Sequence, residues 1–564
     1  MKAVTDFLEE RTALVSMWRK FADHPVPGGP AVKGILPAIL VYLFAQQAII
    51  GILLALHYSP SATDAWASTV YLNDQLAAGW FLRGLHLHGT SVMVVAILLY
   101  LVQLAVTGMY KRPREFVWIS ALLLLLVVMG LGVTGNVLPW DEQGYWSIQV
   151  ELGIAEQTPG GEALRTVIQG GGDSGNLLLT RMYTIHAFLL PGAGVALLAG
   201  IVVLGRRAQV AEAKDSAKTQ AFFPSQAFIN VVAMALVAGV LVAMTVKTHG
   251  SELFAPADPT SGFQARPEWY FLPLFKLRMF FEGPLEPIAT MLIPGAVGSF
   301  VVVAPFIDAK MGPGGRKLVL GALGFIMASI VALTALSIVS DAKNESLQEA
   351  MKTAYEDAER SRALAREGVP PKGGPAVWEN DPAFKVKALF KEHCANCHTV
   401  EGRGGTEAPD LTDYGSRAWL TALVRNPQDP RFFGGTKHET MDPYPVADVP
   451  DEQMAAMVEY LVQLSGGKAD AELAAAGKTA LVDDLDCNGC HEVEAGADNE
   501  GPNLVGRGSL AWVVRVIGDP SQADLFGTES TMPKFESKLS KEEIEQLAQY
   551  VVAQNGDAPA PAAE

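Results

Sequence analysis

Two five-residue segments carry the most chemically specific spacing in the chain: Cys394-Ala-Asn-Cys397-His398 and Cys487-Asn-Gly-Cys490-His491. Two thiols separated by two residues, with an imidazole directly after them, suit covalent attachment of a c-type haem. The thiols add to the vinyl groups and the histidine becomes the proximal iron ligand. The rival chemistry for such a pair is zinc binding or thiol redox exchange, and a single copy would leave it open. These are the only four cysteines in 564 residues, so their pairing reads as two sites for a prosthetic group and not as a disulfide framework. A second set of candidates lies in apolar surroundings. His86, in WFLRGLHLHGTS, and His186, in LTRMYTIHAFLLP, each have an arginine nearby, Arg83 and Arg181. Two neutral imidazoles from different helices could supply both axial ligands of a haem iron, with the arginines paired to its propionates. Interhelical hydrogen bonding is the plainer role for the same histidines, while His88 and His57 read as ordinary polar side chains.

The elements that must position these groups fall into two unlike halves. Hydrophobic residues make up 49% and charged residues only 18%, with a mean hydropathy of +0.22, which points to a membrane-embedded part. Seven apolar stretches are long enough to cross a bilayer core of about 30 Å: about 34–56, 82–108, 116–136, 182–204, 226–246, 286–306 and 317–339. The first 33 residues lack the apolar core and small-residue cleavage site of a signal peptide, so the N-terminus is expected in the cytoplasm. Lys111, Arg112 and Arg114 follow span two, Arg206, Arg207, Lys214 and Lys218 follow span four, and Lys310, Arg316 and Lys317 follow span six. By the positive-inside rule those loops are cytoplasmic. The loop 57–79 has no Lys or Arg and 137–180 has only Arg165, so they face outside, as does everything after residue 340. The expected location is a bacterial cytoplasmic membrane. Of the net charge of −17, residues 341–564 hold 39 acids against 21 bases. An acidic exposed half disfavours nucleic acid and suits basic protein partners.

Residues 1–340 resemble cytochrome b of the quinol-oxidising cytochrome bc complexes, in the seven-span arrangement that plastid-type complexes split between two chains. RGLHLHGTS, the KRPRE loop, GVTGNVLPWDEQGYW, TRMYTIHAFLLP and PEWYFLP occur in the family's order. The resemblance implies that PEWY lines an outer quinol-oxidation site, with Glu268 as a proton acceptor and Tyr270 as a lining residue. A carboxylate at the membrane edge suits that task because quinol loses protons as it loses electrons; an exposed interfacial acid is the bland alternative. The family also places glycines where helices press on each haem, and Gly51 and Gly135 stand at the outer level.

The family normally stacks two b haems across the membrane, and here the chain departs from it. A second histidine is expected 14 residues after His86, a rise of about 21 Å on nearly the same helix face. That position is Tyr100, and the corresponding positions after His186 are Gly200 and Ile201. The packing glycines are replaced by Pro37 and Ala121, and the inner arginine by Gln103. Ligands, glycines and counter-charge are missing together at one level and present together at the other. One non-covalent haem b is therefore expected, at the outer level.

In the other half, Cys394, Pro409, Leu411, Ser416, Trp419, Pro427 and Gly434 recur 93 residues later as Cys487, Pro502, Leu504, Ser509, Trp512, Pro520 and Gly527. Two homologous modules in tandem follow, each resembling a small cytochrome c domain and together binding two haem c. A loop methionine is the usual distal ligand in such domains. Met532 in TMPKF and Met441 in TMDPYP occupy equivalent places after a two-residue shift, and Met454 and Met457 compete with Met441.

The expected fold class is all-α, a seven-span transmembrane bundle followed by two small helical cytochrome c domains. The divisions are 1–340 for the membrane domain, 341–380 for a polar connector, 381–466 and 467–555 for the two c domains, and 556–564 for a disordered tail. The resemblance implies a membrane subunit of a quinol:cytochrome c oxidoreductase. Its partners would be a Rieske-type iron–sulfur protein, a soluble or membrane cytochrome c or terminal oxidase, and a second copy of the chain within a larger complex. The other class of reading is a non-catalytic scaffold or electron-wiring subunit.

Overall fold

The computed structural model describes residues 2–214, 216–281, 283–434, 441–494, 501–527 and 530–557. The predicted tail falls mostly on 558–564, outside the described residues. Two compact units divide at Val377 and Trp378, and each is all-helical apart from two-residue and three-residue strand pairs.

Seven helices of the first unit are long and apolar enough to cross a membrane, and they coincide with the seven apolar stretches of the sequence. They are α1 (Ile35–Ala55), α2 (Gly79–Thr107), α3 (Glu115–Val137), α5 (Asn176–Ala213), α6 (Ser225–Lys247), α7 (Ile293–Met311) and α8 (Pro313–Ala342). The chain is thus a multi-pass membrane protein. Between α3 and α5 lies α4 (Glu142–Glu156), started by the Asp141 carboxylate, which accepts from the Gly144 N–H at 2.9 Å. That cap satisfies a helix-end donor. The other Asp141 oxygen accepts from Phe254 N–H at 3.0 Å, which ties α4 to the segment after α6.

Within the bundle, α1, α2, α3 and α5 share one core, in which Leu40, Leu43, Ile97, Leu104, Ala121 and Leu124 are wholly buried. The connector begins as helix α9 (Glu345–Glu367), capped by Asn344. It belongs to the first unit, where Arg362 and Arg366 both pair with Asp74, whose side chain is buried. Gly374 N–H donates to Thr63 C=O at 2.8 Å.

In the second unit the helices are α10 (Pro382–His393), α11 (Arg417–Arg425), α12 (Asp451–Leu464), α13 (Ala471–Thr479), α14 (Leu510–Gly518) and α15 (Lys541–Val552). The repeat is visible in the caps. Ser416 accepts from Trp419 N–H at the start of α11, and Ser509 accepts from Trp512 N–H at the start of α14.

Candidate functional site

His86 projects from α2 and His186 from a π-helical turn of α5, Ile185–Leu189. Such turns re-aim a side chain without ending the helix and are frequent at functional sites. The two rings lie 6.1 Å apart, centroid to centroid, with planes at 66°. Two bonds of about 2 Å to one metal plus the two ring radii fill that separation. The glycines are at the same level: a Cβ on Gly51 would lie 3.2 Å from His86 Cε1, and one on Gly135 2.7 Å from His186 Cε1. His186 Nδ1 is 3.1 Å from Thr134 Oγ1, whose own hydroxyl donates to Gly130 C=O at 2.8 Å. Nδ1–H must then be the donor to Thr134, which leaves Nε2 with a free lone pair for a metal. His86 Nδ1 is buried and has no partner among the described residues. The donor set fits a haem iron. Arg83 donates to the Ser251 and Glu252 carbonyls at 3.1 and 2.9 Å, and Arg181 to the Val167 carbonyl.

One level further in, the same helices are filled by side chains. Tyr100 is 4% exposed and Ile201 1%, packed with Leu101, Leu198 and Leu124. The Phe44 ring lies on Gly194, where a Cβ would come within 2.5 Å of it. Gln103 donates to Lys33 C=O at 2.8 Å. The residues at this level do not fit a haem.

Glu268 and Tyr270 lie between α6 and α7, where Trp269–Phe271 form one 3-10 turn. The Tyr270 hydroxyl rests on α3 at Gly132, where a Cβ would lie 2.1 Å away, so no side chain fits. Trp269 Nε1 donates to Ser91 Oγ at 3.1 Å, which fixes the turn on α2. From α4, Gln143 donates to Arg266 C=O at 2.6 Å and to Ser147 Oγ at 3.1 Å. Gln143, Ser147 and Glu151 are successive i, i+4 positions and so form one stripe. Glu151 is a residue that motif reading missed. Its Oε2 is buried without a hydrogen-bond partner among the described residues, and burial pushes its carboxyl up to about 7. Burial, then the charge of Glu252, also raises the Glu268 carboxyl. The Tyr270 phenol is raised by burial first and then by the charges of Glu268 and Glu151, so both acids sit close to it. The available signal was a lone acid inside the otherwise neutral stretch GYWSIQVELG.

In the second unit, Cys394, Cys397 and His398 follow α10, and His398 Nδ1 is 2.8 Å from Pro409 C=O. Cys487, Cys490 and His491 repeat the arrangement, with His491 Nδ1 2.9 Å from Pro502 C=O. A carbonyl only accepts, so in each module Nδ1 carries the proton and Nε2 is left as a ligand. Both cysteine pairs are free thiols and fit haem attachment. Met454 and Met457 are buried in α12, while Met441 is 37% exposed. Met532 packs on the cluster that also contacts Cys394, formed by Val386 and Phe390 of α10 with Leu547 and Val551 of α15. Cys487 packs instead with Tyr444, three residues after Met441, and with Met457 and Val458 of α12.

Paired histidines between membrane helices, and two modules each ending a helix in Cys-x-x-Cys-His, define a membrane cytochrome with both b-type and c-type parts. The family model Cytochrome b/b6/petB matches residues 23–206, Cytochrome c matches 383–465, and Cytochrome C oxidase, cbb3-type, subunit III matches 473–551. The menaquinol:cytochrome c reductase cytochrome b subunit of Bacillus subtilis is 35% identical over 221 residues, which are 37% of this chain and 96% of that one. Cytochrome b6 of Mastigocladus laminosus is 33% identical over 34% of this chain and 89% of its own length. The cytochrome bc complex cytochrome b subunit of Chlorobaculum thiosulfatiphilum is 28% identical over 53% of this chain and 72% of that one. The chain belongs to the cytochrome b/b6 family and carries c-type cytochrome domains beyond it, so haem b and haem c are its cofactors.

Proposed function

We propose that this chain is the electron-transfer subunit of a quinol:cytochrome c oxidoreductase that binds one haem b and two haem c and oxidises quinol at the outer membrane face. The observation that carries the haem count is the contrast between the two levels of the bundle. The outer level offers two imidazoles 6.1 Å apart with glycines against both rings, and the inner level is close-packed side chains. Haem at each of the three sites supplies one-electron redox chemistry. The relatives' names, menaquinol:cytochrome c reductase among them, support quinol as the substrate. The orientation inferred from loop charges places the c modules outside, where soluble or membrane cytochrome c or a terminal oxidase can reach them. A Rieske-type iron–sulfur protein as the first one-electron acceptor, and a homodimer within a larger complex, follow from the family. A pyridine haemochrome assay on the purified chain is expected to return one b to two c, and equal amounts would overturn the count.

Quinol oxidation releases two protons, and the charges of two carboxylates, Glu268 and Glu151, act on Tyr270. Glu268 accepts one proton and Glu151, from the α4 side, the other. A carboxylate accepts only when ionised, so with its carboxyl held near 7 the rate should rise with pH through that value. The Tyr270 phenol is the titratable group on which the charges of both Glu268 and Glu151 act. Glu151→Gln is expected to slow quinol-driven reduction of the c haems by about 10-fold, less than the ~10²-fold of a sole general base because Glu268 remains. It should also remove the pH dependence near 7 while leaving the b-haem absorption intact. An unchanged rate and profile would remove Glu151 from the proton path.

A further inference from the structure

In the second unit the two modules do not close on themselves. Helix α13, which leads into Cys487, crosses α12 of the preceding module so closely that a Cβ on Gly477 would lie 1.9 Å from Ala456 C=O. Helix α10, which leads into Cys394, packs against α15 of the following module. The Phe390 and Tyr550 rings are 5.3 Å apart, and His393 is 6.0 Å from Phe535. Hydrogen bonds cross between the modules: among them, Gly506 N–H donates to Leu464 C=O, and Asn555 Nδ2 donates to Gly415 C=O, each at 2.9 Å. The hydrophobic clusters follow the same exchange. One joins α10, Cys394, α14, Met532 and α15, and the other joins α11, Tyr444, α12, Ala480 and Leu481 of the turn after α13, and Cys487.

The linker explains the pairing. Only residues 465–470 separate α12 from α13, and a connection that short makes consecutive helices antiparallel neighbours. Once α12 is covered by α13, α10 and α15 are left to cover each other. Because the modules are homologous, the exchanged interfaces are of the same kind as the unexchanged ones, the condition under which swapping costs little.

We propose that the c-type ligand sets are exchanged between modules: the haem attached at Cys394 and Cys397, with His398 proximal, takes Met532 as its distal ligand. The haem at Cys487 and Cys490, with His491 proximal, takes Met441. This rests on the reading of both motifs as haem attachment sites. The full-length chain with Cys487→Ala and Cys490→Ala keeps one covalent haem, at Cys394. Its ferric near-infrared thioether-to-iron absorption is expected to be lost on Met532→Ala and kept on Met441→Ala. In the reciprocal background, Cys394→Ala with Cys397→Ala, the pattern is expected to reverse. Loss on Met441→Ala in the first background, or no loss on either change, overturns the exchange. A second measurement serves where the single-haem chains do not mature. Phe390→Ala and Tyr550→Ala, singly and together in the otherwise intact chain, should shift the denaturation midpoint of the c-domain absorption non-additively. Additive shifts overturn the exchange. Absence of any covalent haem from the denatured wild-type chain would sink the attachment reading instead, and the Phe390 and Tyr550 coupling, followed then by tryptophan fluorescence, would still report on the packing of α10 against α15.

Discussion

Replacing His86 or His186 with Leu is expected to abolish the entire b-type absorption while leaving both c haems in place. The expectation rests on the two rings facing one another at 6.1 Å, with the Gly51 and Gly135 backbones against them. No other pair of histidines lies opposed within the described spans. In a chain with two b haems, such a change would remove half the signal and leave the rest. Here the loss should be complete, because Tyr100 and Ile201 belong to a close-packed core. Tyr100→Phe, which keeps the volume, should leave the b spectrum unaltered. Half the b signal surviving in His86→Leu, or a b haem lost in Tyr100→Phe, would mean that a second site exists. Spectra of dithionite-reduced membranes before and after each change are sufficient.

Glu268→Gln is expected to slow quinol-driven reduction of the c haems by about 10²-fold, the effect of removing a positioned proton acceptor, with haem content unchanged. Gln keeps the shape of the side chain, so the turn at Trp269 and the Tyr270 contact with Gly132 should survive. In the same assay, inhibitors directed at an inner quinone site should have little effect. The transmembrane route of the family needs a second haem about 21 Å further along α2, and that level is filled by Leu, Ile and Tyr side chains. An unchanged rate in Glu268→Gln would favour a wiring or scaffold role for the membrane half. Strong inhibition from the inner side would reveal an electron path other than stacked b haems.

Much of this was legible in the residues alone. A c-type attachment site is local: two thiols and an imidazole within five residues fix the chemistry wherever the segment lies. Membrane spans are nearly as local, since 20 apolar residues have one physical destination, and the seven helices stand where the apolar stretches lie. The inner-level departure could be read because helix periodicity ties Tyr100 to the His86 face. Glu151 escaped because its meaning is environmental. An acid in a helix reads as solvated until the fold buries its Oε2, where its charge bears on the Tyr270 phenol.

The sequence by itself supplied two Cys-x-x-Cys-His segments, each followed by a loop methionine at equivalent places after a two-residue shift, and the order in which they follow one another. It could not determine which methionine meets which attachment site. Homologous modules present interchangeable surfaces, so α12 can be covered by α10 or by α13 with contacts of the same kind. Only the tertiary structure decided between them, and the physical reason is chain length. Six residues between α12 and α13 hold those two helices together, with the Gly477 backbone against Ala456, and α10 packs on α15.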